Sequence, residues 1–290
     1  MLISYNEACA LHCSTLEQDL VLCEKMGYDC IEIRLDMLSD YLKTHTVEDL
    51  VNFFKTSHLR PHAFNALYVY PEMFSEQDDL QRREALLEEF KLGCEVGKAI
   101  GSHYFIIVPP LQRDPNGGPF VGTREETFQN CVRILNHLAD LAEPYGMNLC
   151  FELVGFERSS VRSVEDANAI VTAVNRPNVG FVFDSYNIYL NGGCNDFSSL
   201  KQVDPKKIFA VHMMSGDDVP ACDRGQDKRC FCDHGVVDID GFLHTLKEIG
   251  YQGMVSVETF RPGYWQEKPD WVIENGYQTT HAALEHCGCL

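Results

Sequence analysis

Four charged or titratable residues of this sequence stand at the ends of otherwise apolar runs. They are Glu152, Asp184, His212 and Glu258. A polar side chain at the end of a buried strand is paired, bound to a ligand or catalytic. Neighbouring barrel strands lie about 4.8 Å apart, so four such side chains on successive strands can point at one centre. The spacing therefore predicts one shared site.

Three carboxylates at one centre repel one another strongly at low dielectric constant unless a cation lies between them. Carboxylate oxygens with a single imidazole suit Mn²⁺, Mg²⁺, Co²⁺ or Zn²⁺, and the spacing does not choose among these ions. For any one residue alone, a carboxylate paired with a buried Arg, or a histidine satisfied in the core, is the better interpretation. For all four together, the sequence favours one divalent metal ion as cofactor.

Short β-rich runs recur at intervals of roughly thirty to forty residues, and a stretch with helical periodicity follows each run. The predicted strands are Leu2 to Tyr5, Cys30 to Leu35, Pro61 to Leu67, Tyr104 to Val108, Asn148 to Leu153, Gly180 to Phe183, Ile208 to Met213 and Met254 to Phe260. The predicted helices include Leu86 to Ile100, Thr127 to Tyr145, Val164 to Val174 and Gly241 to Ile249. The alternation predicts an α/β fold.

Such an alternation fits either a doubly wound sheet or a closed (β/α)8 TIM barrel. No G-x-G-x-x-G follows the first predicted strand, which weakens the doubly wound, dinucleotide-binding alternative. We therefore expect residues 1–290 to form a single (β/α)8 barrel domain with a C-terminal helical tail. Its longest loops, Asp114 to Gly122 and Ser215 to Gly235, follow strands and so lie on the face where such barrels build active sites.

The composition excludes several classes of protein. There are 43 acidic residues against 24 Lys and Arg, a net charge of −19, so neither nucleic acid nor an anionic membrane is an expected partner. At 45% hydrophobic residues the chain is too apolar for a disordered acidic protein. Its 13 cysteines and the lack of a visible secretory signal favour free thiols in a reducing cytoplasm.

Three stretches around the candidate ligands resemble the xylose-isomerase-like barrel superfamily of sugar isomerases and epimerases. They are Glu152-Leu153-Val154-Gly155, Val179-Gly180-Phe181-Val182-Phe183-Asp184-Ser185-Tyr186 and Val255-Ser256-Val257-Glu258-Thr259-Phe260-Arg261-Pro262. Other stretches, such as Tyr5-Asn6-Glu7-Ala8, are similar to the inosose isomerases of that superfamily. The resemblance covers nearly the whole chain and implies the same barrel.

The resemblance also implies roles for individual residues. Glu152, Asp184, His212 and Glu258 would hold the metal ion, and Arg229 stands where the superfamily has an arginine in the loop after the seventh strand. We expect Arg229 to stabilise oxyanion charge or orient a substrate hydroxyl. We expect Glu152 and Glu258 to act as general base and general acid.

The implied activity belongs to inositol catabolism. The carbonyl of an inosose would shift to the neighbouring ring carbon through an enediolate, as from 2-keto-myo-inositol to 1-keto-D-chiro-inositol, so the expected partner is a cyclic polyol ketone. A ketose 3-epimerase or an inosose dehydratase would use the same residues, and a non-catalytic polyol-binding barrel is a further alternative. The sequence leaves the oligomeric state open, a homo-oligomer included.

Several residues qualify this reading. Asn187 replaces a His that the family often has, and Cys232-Asp233 replaces a Pro-Gly after the loop arginine, which bears on the loop's shape and on substrate choice. Asn187 and Asn65 are candidate substrate contacts. Glu32 and Arg34 share a strand face and are expected to pair inside the barrel, while His62 is expected to pack or form a hydrogen bond.

The cysteines of the loop 222–234 invite a comparison with zinc sites. Cys222, Cys230, Cys232 and His234 have the spacing C-x7-C-x-C-x-H, which is not a usual structural zinc pattern, so free thiols are expected. Cys287-Gly288-Cys289 near the C-terminus is expected to be a frayed tail.

Overall fold

Eight parallel strands form a closed barrel in the computed structural model, which describes residues 1–112, 114 and 117–290. They are β1 (Leu2–Asn6), β2 (Cys30–Arg34), β3 (Arg60–Tyr68), β4 (Tyr104–Val108), β5 (Asn148–Glu152), β6 (Val179–Asp184), β7 (Ile208–His212) and β10 (Met254–Val257). Two short strands between β7 and β10, β8 (Ser215–Gly216) and β9 (Arg229–Cys230), pair with each other outside the barrel. Strand β1 pairs with both β2 and β10, which closes the ring. The predicted (β/α)8 TIM barrel is confirmed.

Helices surround this barrel. They are α1 (Leu16–Met26), α2 (Leu35–Tyr41), α3 (Val47–Thr56), α4 (Leu80–Ile100), α5 (Arg124–Ala142), α6 (Val164–Val174), α7 (Ser185–Leu190), α8 (Ile239–Glu248) and α9 (Pro269–His286). The hydroxyls of Thr15, Thr46, Thr123 and Ser163 accept hydrogen bonds from N–H groups in the first turns of α1, α3, α5 and α6, so side-chain caps fix where these helices begin. None of the described helices is long and apolar enough to span a membrane.

Some element boundaries differ from the predicted ones. Helix α4 begins at Leu80 rather than at Leu86, because Asp79 caps it and its polar first turn hides the start from a reading based on apolar periodicity. The last barrel strand ends at Val257, so Glu258 follows the strand by one residue. Residues 115 and 116 of the predicted loop Asp114 to Gly122 lie outside the described residues.

The C-terminal segment is anchored, so the expectation of a frayed tail was wrong. Lys247 Nζ donates hydrogen bonds to the carbonyl oxygens of Cys287 and Gly288 at 3.2 and 2.9 Å. The amino group of Met1 contacts the carbonyl oxygen of Cys289. Lysine and the chain's own N-terminus therefore satisfy carbonyls that a free tail would leave to water. All 13 cysteines are free thiols, as expected.

The barrel interior is apolar in one layer and polar in the next. Small and aliphatic side chains, among them Ala63, Ile106, Val182 and Ala210, form a buried cluster inside the ring. The register then pairs Asp184 with His212, and His212 with Ser256, at the carboxyl ends of the strands. Parallel strands in this register bring their last residues to one level, which is where the candidate site lies.

Substitution of Gly180 in β6 tests how closely the strands that carry the site must pack. A Cβ at this position would lie 2.2 Å from the carbonyl oxygen of Lys207 and 2.5 Å from the Phe209 ring. We expect Gly180→Ala to lower the free energy of unfolding by about 1–3 kcal/mol, since backbone and ring must move apart. Urea unfolding measures this loss.

Gly263→Ala is the matched control. Gly263 has an ordinary φ of −64°, and a Cβ there would meet nothing within 4 Å. Equal urea midpoints for the two variants would contradict the packing argument.

Candidate metal centre

The four predicted ligands come together at the carboxyl end of the barrel. Glu152, Asp184 and His212 end β5, β6 and β7, and Glu258 follows β10. All four are buried, with at most 6% of any residue exposed. One ligand atom from each lies within 4.8 Å of one ligand atom from every other.

Two buried atoms of this cluster have no hydrogen-bond partner among the residues that the structure describes. They are Asp184 Oδ2 and His212 Nδ1. Their nearest charged neighbours, Arg229 Nη1 at 2.8 Å and Glu258 Oε2 at 3.2 Å, are at ion-pair distance without hydrogen-bond geometry. Buried atoms of this kind are normally satisfied. Three carboxylates, one imidazole and two open acceptor positions fit a divalent metal ion.

Arg229 is the cation that the protein itself brings to the cluster. It is 1% exposed, and its Nη1 lies 2.8 Å from both Asp184 Oδ2 and Glu258 Oε2. Tyr186 and Phe260 flank its guanidinium at 5.8 and 5.4 Å from the ring centroids. The pairing of carboxylates with a buried arginine, weighed above for single residues, is thus present beside the candidate ligands. One guanidinium balances one of the three negative charges, so two negative charges remain that a divalent metal ion could balance.

Glu32 is a site residue that sequence reasoning misassigned. Its carboxylate lies 3.0 Å from His212 Nε2, while Arg34 pairs with Asp36 at 2.8 Å, so the expected ion pair between Glu32 and Arg34 is wrong. Strand β2 ends at Arg34, and the side chain of Arg34 pairs with Asp36 in the first turn of α2, whereas Glu32 is fully buried. A carboxylate behind a metal-binding imidazole fixes which nitrogen is free, here Nδ1 on the cluster side.

Asparagines connect this second layer to the ligands. Asn6 Nδ2 donates to Glu32 Oε2 at 2.9 Å and to Glu258 Oε1 at 3.1 Å. Asn65 Nδ2 donates to the same Glu258 oxygen at 2.7 Å. Asn6 has no charge and is the last residue of β1, far in sequence from the predicted ligands. Only the closure of the barrel between β1 and β10 shows that it belongs to the site.

Asn187 lies on the opposite side, next to Glu152. Its Nδ2 donates to Glu152 Oε1 at 3.2 Å, and its backbone N–H donates to Asp184 Oδ1 at 2.7 Å as part of the α7 N-cap. Asn65 and Asn187 therefore both contact predicted ligands, and their substrate contacts stay predictions. His62 lies apart from the cluster and contacts the carbonyl oxygen of Phe209 at 3.0 Å, the structural role expected for it.

The two glutamates differ in acidity. Burial and the nearby Glu258 raise the pKa of Glu152 to about 8. Burial acts in the same direction on Glu258, but His212 and Arg229 outweigh it and lower the pKa of that carboxyl to about 2. Two carboxyls whose environments push their pKa values apart are the usual composition of an acid–base pair.

The Cys-rich loop 222–234 holds free thiols, as expected. Cys230 Sγ donates to the carbonyl oxygen of His234 at 3.4 Å, and Cys232 Sγ to that of Met213 at 3.6 Å. Asp217, Cys230 and His234 approach one another, but Arg261 Nη1 holds both Asp217 oxygens at 2.9 and 3.0 Å. Asp217 is therefore already neutralised by an arginine.

Comparisons with known proteins agree with this geometry. Residues 20–275 match the model of the xylose isomerase-like TIM barrel family. The inosose isomerase of Bacillus velezensis is 40% identical over 98% of this chain and 97% of its own length, and that of Bacillus subtilis 39% identical over 97% and 96%. A crystal structure of IOLI protein with a bound zinc atom is 38% identical, has a TM-score of 0.89 and covers 99% of both chains.

The chain belongs to the inosose isomerase family. Membership of the inosose isomerases, within the xylose isomerase-like TIM barrels, confirms the resemblance and the enzyme class expected from the sequence. The zinc-bound relative and the buried cluster confirm the expectation of a divalent metal cofactor. The roles of individual residues stay predictions.

Glu32→Gln tests the second layer of this inosose isomerase site. We expect metal affinity to fall about tenfold to a hundredfold, because the amide holds His212 without the negative charge that strengthens the imidazole as a ligand. Competition with a chelator measures the affinity. Glu84→Gln, at an exposed position of α4, is the control and should keep full affinity. Equal affinities for the two variants would remove Glu32 from the site.

Proposed function

We propose that this protein is a divalent-metal inosose isomerase of inositol catabolism. It moves the carbonyl of the inosose ring to the neighbouring carbon, in a conversion of the 2-keto-myo-inositol to 1-keto-D-chiro-inositol type. The observation that carries the proposal is the buried cluster of three carboxylates and one imidazole within 4.8 Å, in a chain 40% identical to an inosose isomerase over 98% of its length. The free thiols support the cytoplasm as its location.

Glu152, Asp184, His212 and Glu258 would hold the metal ion. When bound there, the ion supplies Lewis-acid chemistry to a ketone oxygen and the adjacent hydroxyl, and so acidifies the C–H between them. The protein's part is to keep the ligands in place. Glu32 orients His212, and Asn6 and Asn65 hold Glu258 by hydrogen bonds of 3.1 and 2.7 Å.

Glu152 and Glu258 move the proton. They come from the two outer strands of the four that carry the cluster, β5 and β10, and therefore reach the ring from two sides. One carboxylate takes the proton from the carbon that bears the hydroxyl, which gives an enediolate. The other returns a proton to the former carbonyl carbon. The hydroxyl proton of the first carbon passes to the former carbonyl oxygen, so that the first carbon becomes the new ketone and the former ketone becomes an alcohol.

Arg229, Asn65 and Asn187 complete the pocket. Arg229 is held between two aromatic rings and two carboxylates, so its charge is fixed in place before substrate arrives. It stabilises negative charge on an enediolate oxygen or orients a ring hydroxyl. The amides of Asn65 and Asn187 each contact one of the two glutamates, which supports a role for them in binding the ring's other hydroxyls.

Product analysis separates isomerisation from its alternatives. Purified, metal-loaded protein supplied with scyllo-inosose should give a new inosose signal by NMR, since the carbonyl only changes position. An inosose dehydratase gives a product that has lost water, and a ketose 3-epimerase acts on a ketose instead. If no new inosose forms, the proposed activity is wrong.

Glu258→Gln separates an enzyme from a non-catalytic polyol-binding barrel. We expect kcat to fall by about a hundredfold or more, because the amide cannot exchange a proton with the substrate carbon. Metal content and inosose binding are measured on the same samples, so that a lost ligand is distinguished from a lost proton-transfer group. Glu84→Gln should keep the parent kcat, and a parent protein that binds inosose without turnover would support the binding barrel.

A further inference from the structure

A cavity of about 800 Å³ lies between the loop after β5, the end of α7 and the loop after β7. Gln226 connects it to the metal centre: its Nε2 donates to Asn187 Oδ1 at 3.4 Å, and Asn187 donates to Glu152. Gln226 Oε1 is buried and makes no hydrogen bond within the described residues. Two hydrogen bonds thus connect the cavity wall to Glu152, a predicted ligand. The side-chain oxygen of Gln226 remains able to accept a hydrogen bond.

Three arginines line this cavity: Arg158, Arg162 and Arg224. Arg158 Nη1 donates to the backbone oxygen of Asp114 at 3.1 Å and Arg162 Nε to that of Gly155 at 3.2 Å, while the Arg224 guanidinium lies 5.1 Å from the Tyr189 ring centroid. None of the three forms an ion pair with a carboxylate in the part of the chain that the structure describes. Within the described residues, most of their guanidinium donors therefore have no hydrogen-bond acceptor.

Unpaired arginines are unexpected in so acidic a chain. Elsewhere in the described structure, arginines commonly have a carboxylate within 4 Å, as for Arg34, Arg83, Arg124, Arg176 and Arg261. Two acidic residues reach the cavity as well. Asp227 is held by Lys228, and Glu157 is exposed at the rim. The cavity therefore keeps a local positive charge against the net charge of −19.

We propose that this cavity is an anion-binding subsite that takes a phosphate group. A carboxylate offers two oxygens, which a single guanidinium fork satisfies. A phosphate dianion offers three oxygens and about two negative charges, which match several forks around one volume. The phosphate is either free or esterified to a small polyol, and both sources present the same chemistry to the arginines.

Calorimetric titration of the full-length protein with inorganic phosphate at low ionic strength tests the proposal. Saturable binding is expected, and Arg162→Gln and Arg224→Gln, tested separately, should each weaken it about tenfold, because each removes charged hydrogen bonds. The titration is carried out on metal-free and on metal-loaded protein. The ratio of the dissociation constants of variant and parent should be the same in both, since any phosphate that binds to the metal ion does so in the variant as in the parent.

Arg82→Gln is the matched control. Arg82 is an exposed arginine on α4 that lies 4.0 Å from the Tyr70 ring centroid, and its loss changes the net charge by the same amount. It should leave phosphate binding unchanged within about twofold. Absence of saturable binding to the parent protein, or an equal loss in Arg82→Gln, overturns the proposal.

Titration with myo-inositol 1-phosphate and with myo-inositol distinguishes the sources. Tighter binding of the ester than of inorganic phosphate, lost in Arg224→Gln, assigns the subsite to a phosphorylated polyol. Equal binding assigns it to free phosphate. Binding of myo-inositol as tight as that of its phosphate overturns the proposal, because the arginines then recognise hydroxyls. The result does not depend on the proposed isomerase activity, since no turnover is measured.

Discussion

Three carboxylates buried around one point are the constraint on which the rest of this structure depends. Such a cluster is unstable in a medium of low dielectric constant unless positive charge reaches it. The fold supplies part of this charge through Arg229, whose Nη1 lies 2.8 Å from two of the carboxylates. The open positions on Asp184 and His212 leave the remaining compensation to a divalent ion. Binding of a metal and stability of the folded site are therefore linked.

The second layer converts this electrostatic requirement into a defined geometry. Glu32 fixes the His212 ring, Asn6 joins Glu32 to Glu258, and Asn187 joins Glu152 to the cap of α7. These contacts come from β1, β2 and α7, so elements on different sides of the barrel take part in orienting the four predicted ligands. Ligands held this way reorganise little when a metal or substrate binds, which is the property that an acid–base site needs.

The overall charge of the protein and the local charge of the arginine cavity differ in sign. The net charge of −19 suits a neutral polyol ketone and disfavours nucleic acid. Beside the predicted metal centre, however, one cavity is lined by three arginines that pair with no carboxylate among residues 1–112, 114 and 117–290. A bulk field acts over long distances and is screened by salt, whereas a guanidinium in a cavity acts on whatever lies within hydrogen-bond reach. Charge counted from the sequence therefore describes partners in general and misses such a local reversal.

The sequence by itself determined the barrel and the four candidate ligands. Eight apolar runs with helical stretches between them are a local, periodic signal, and a charged residue at the end of an apolar run is visible without a structure. Glu152, Asp184, His212 and Glu258 could thus be chosen from their positions alone. Helix starts were less certain where a polar first turn, as in α4, hides the periodicity.

Tertiary structure alone decided which residues support the ligands. Glu32 was assigned to Arg34 because the two share a strand face, but its partner His212 lies 180 residues away. Asn6 meets Glu258 across 252 residues, where β1 and β10 close the ring. The arginine cavity is assembled from two separate loops and the end of α7. Contacts of this kind depend on barrel closure and on where a chain turns at the end of a strand, and neither leaves a periodic pattern in the sequence.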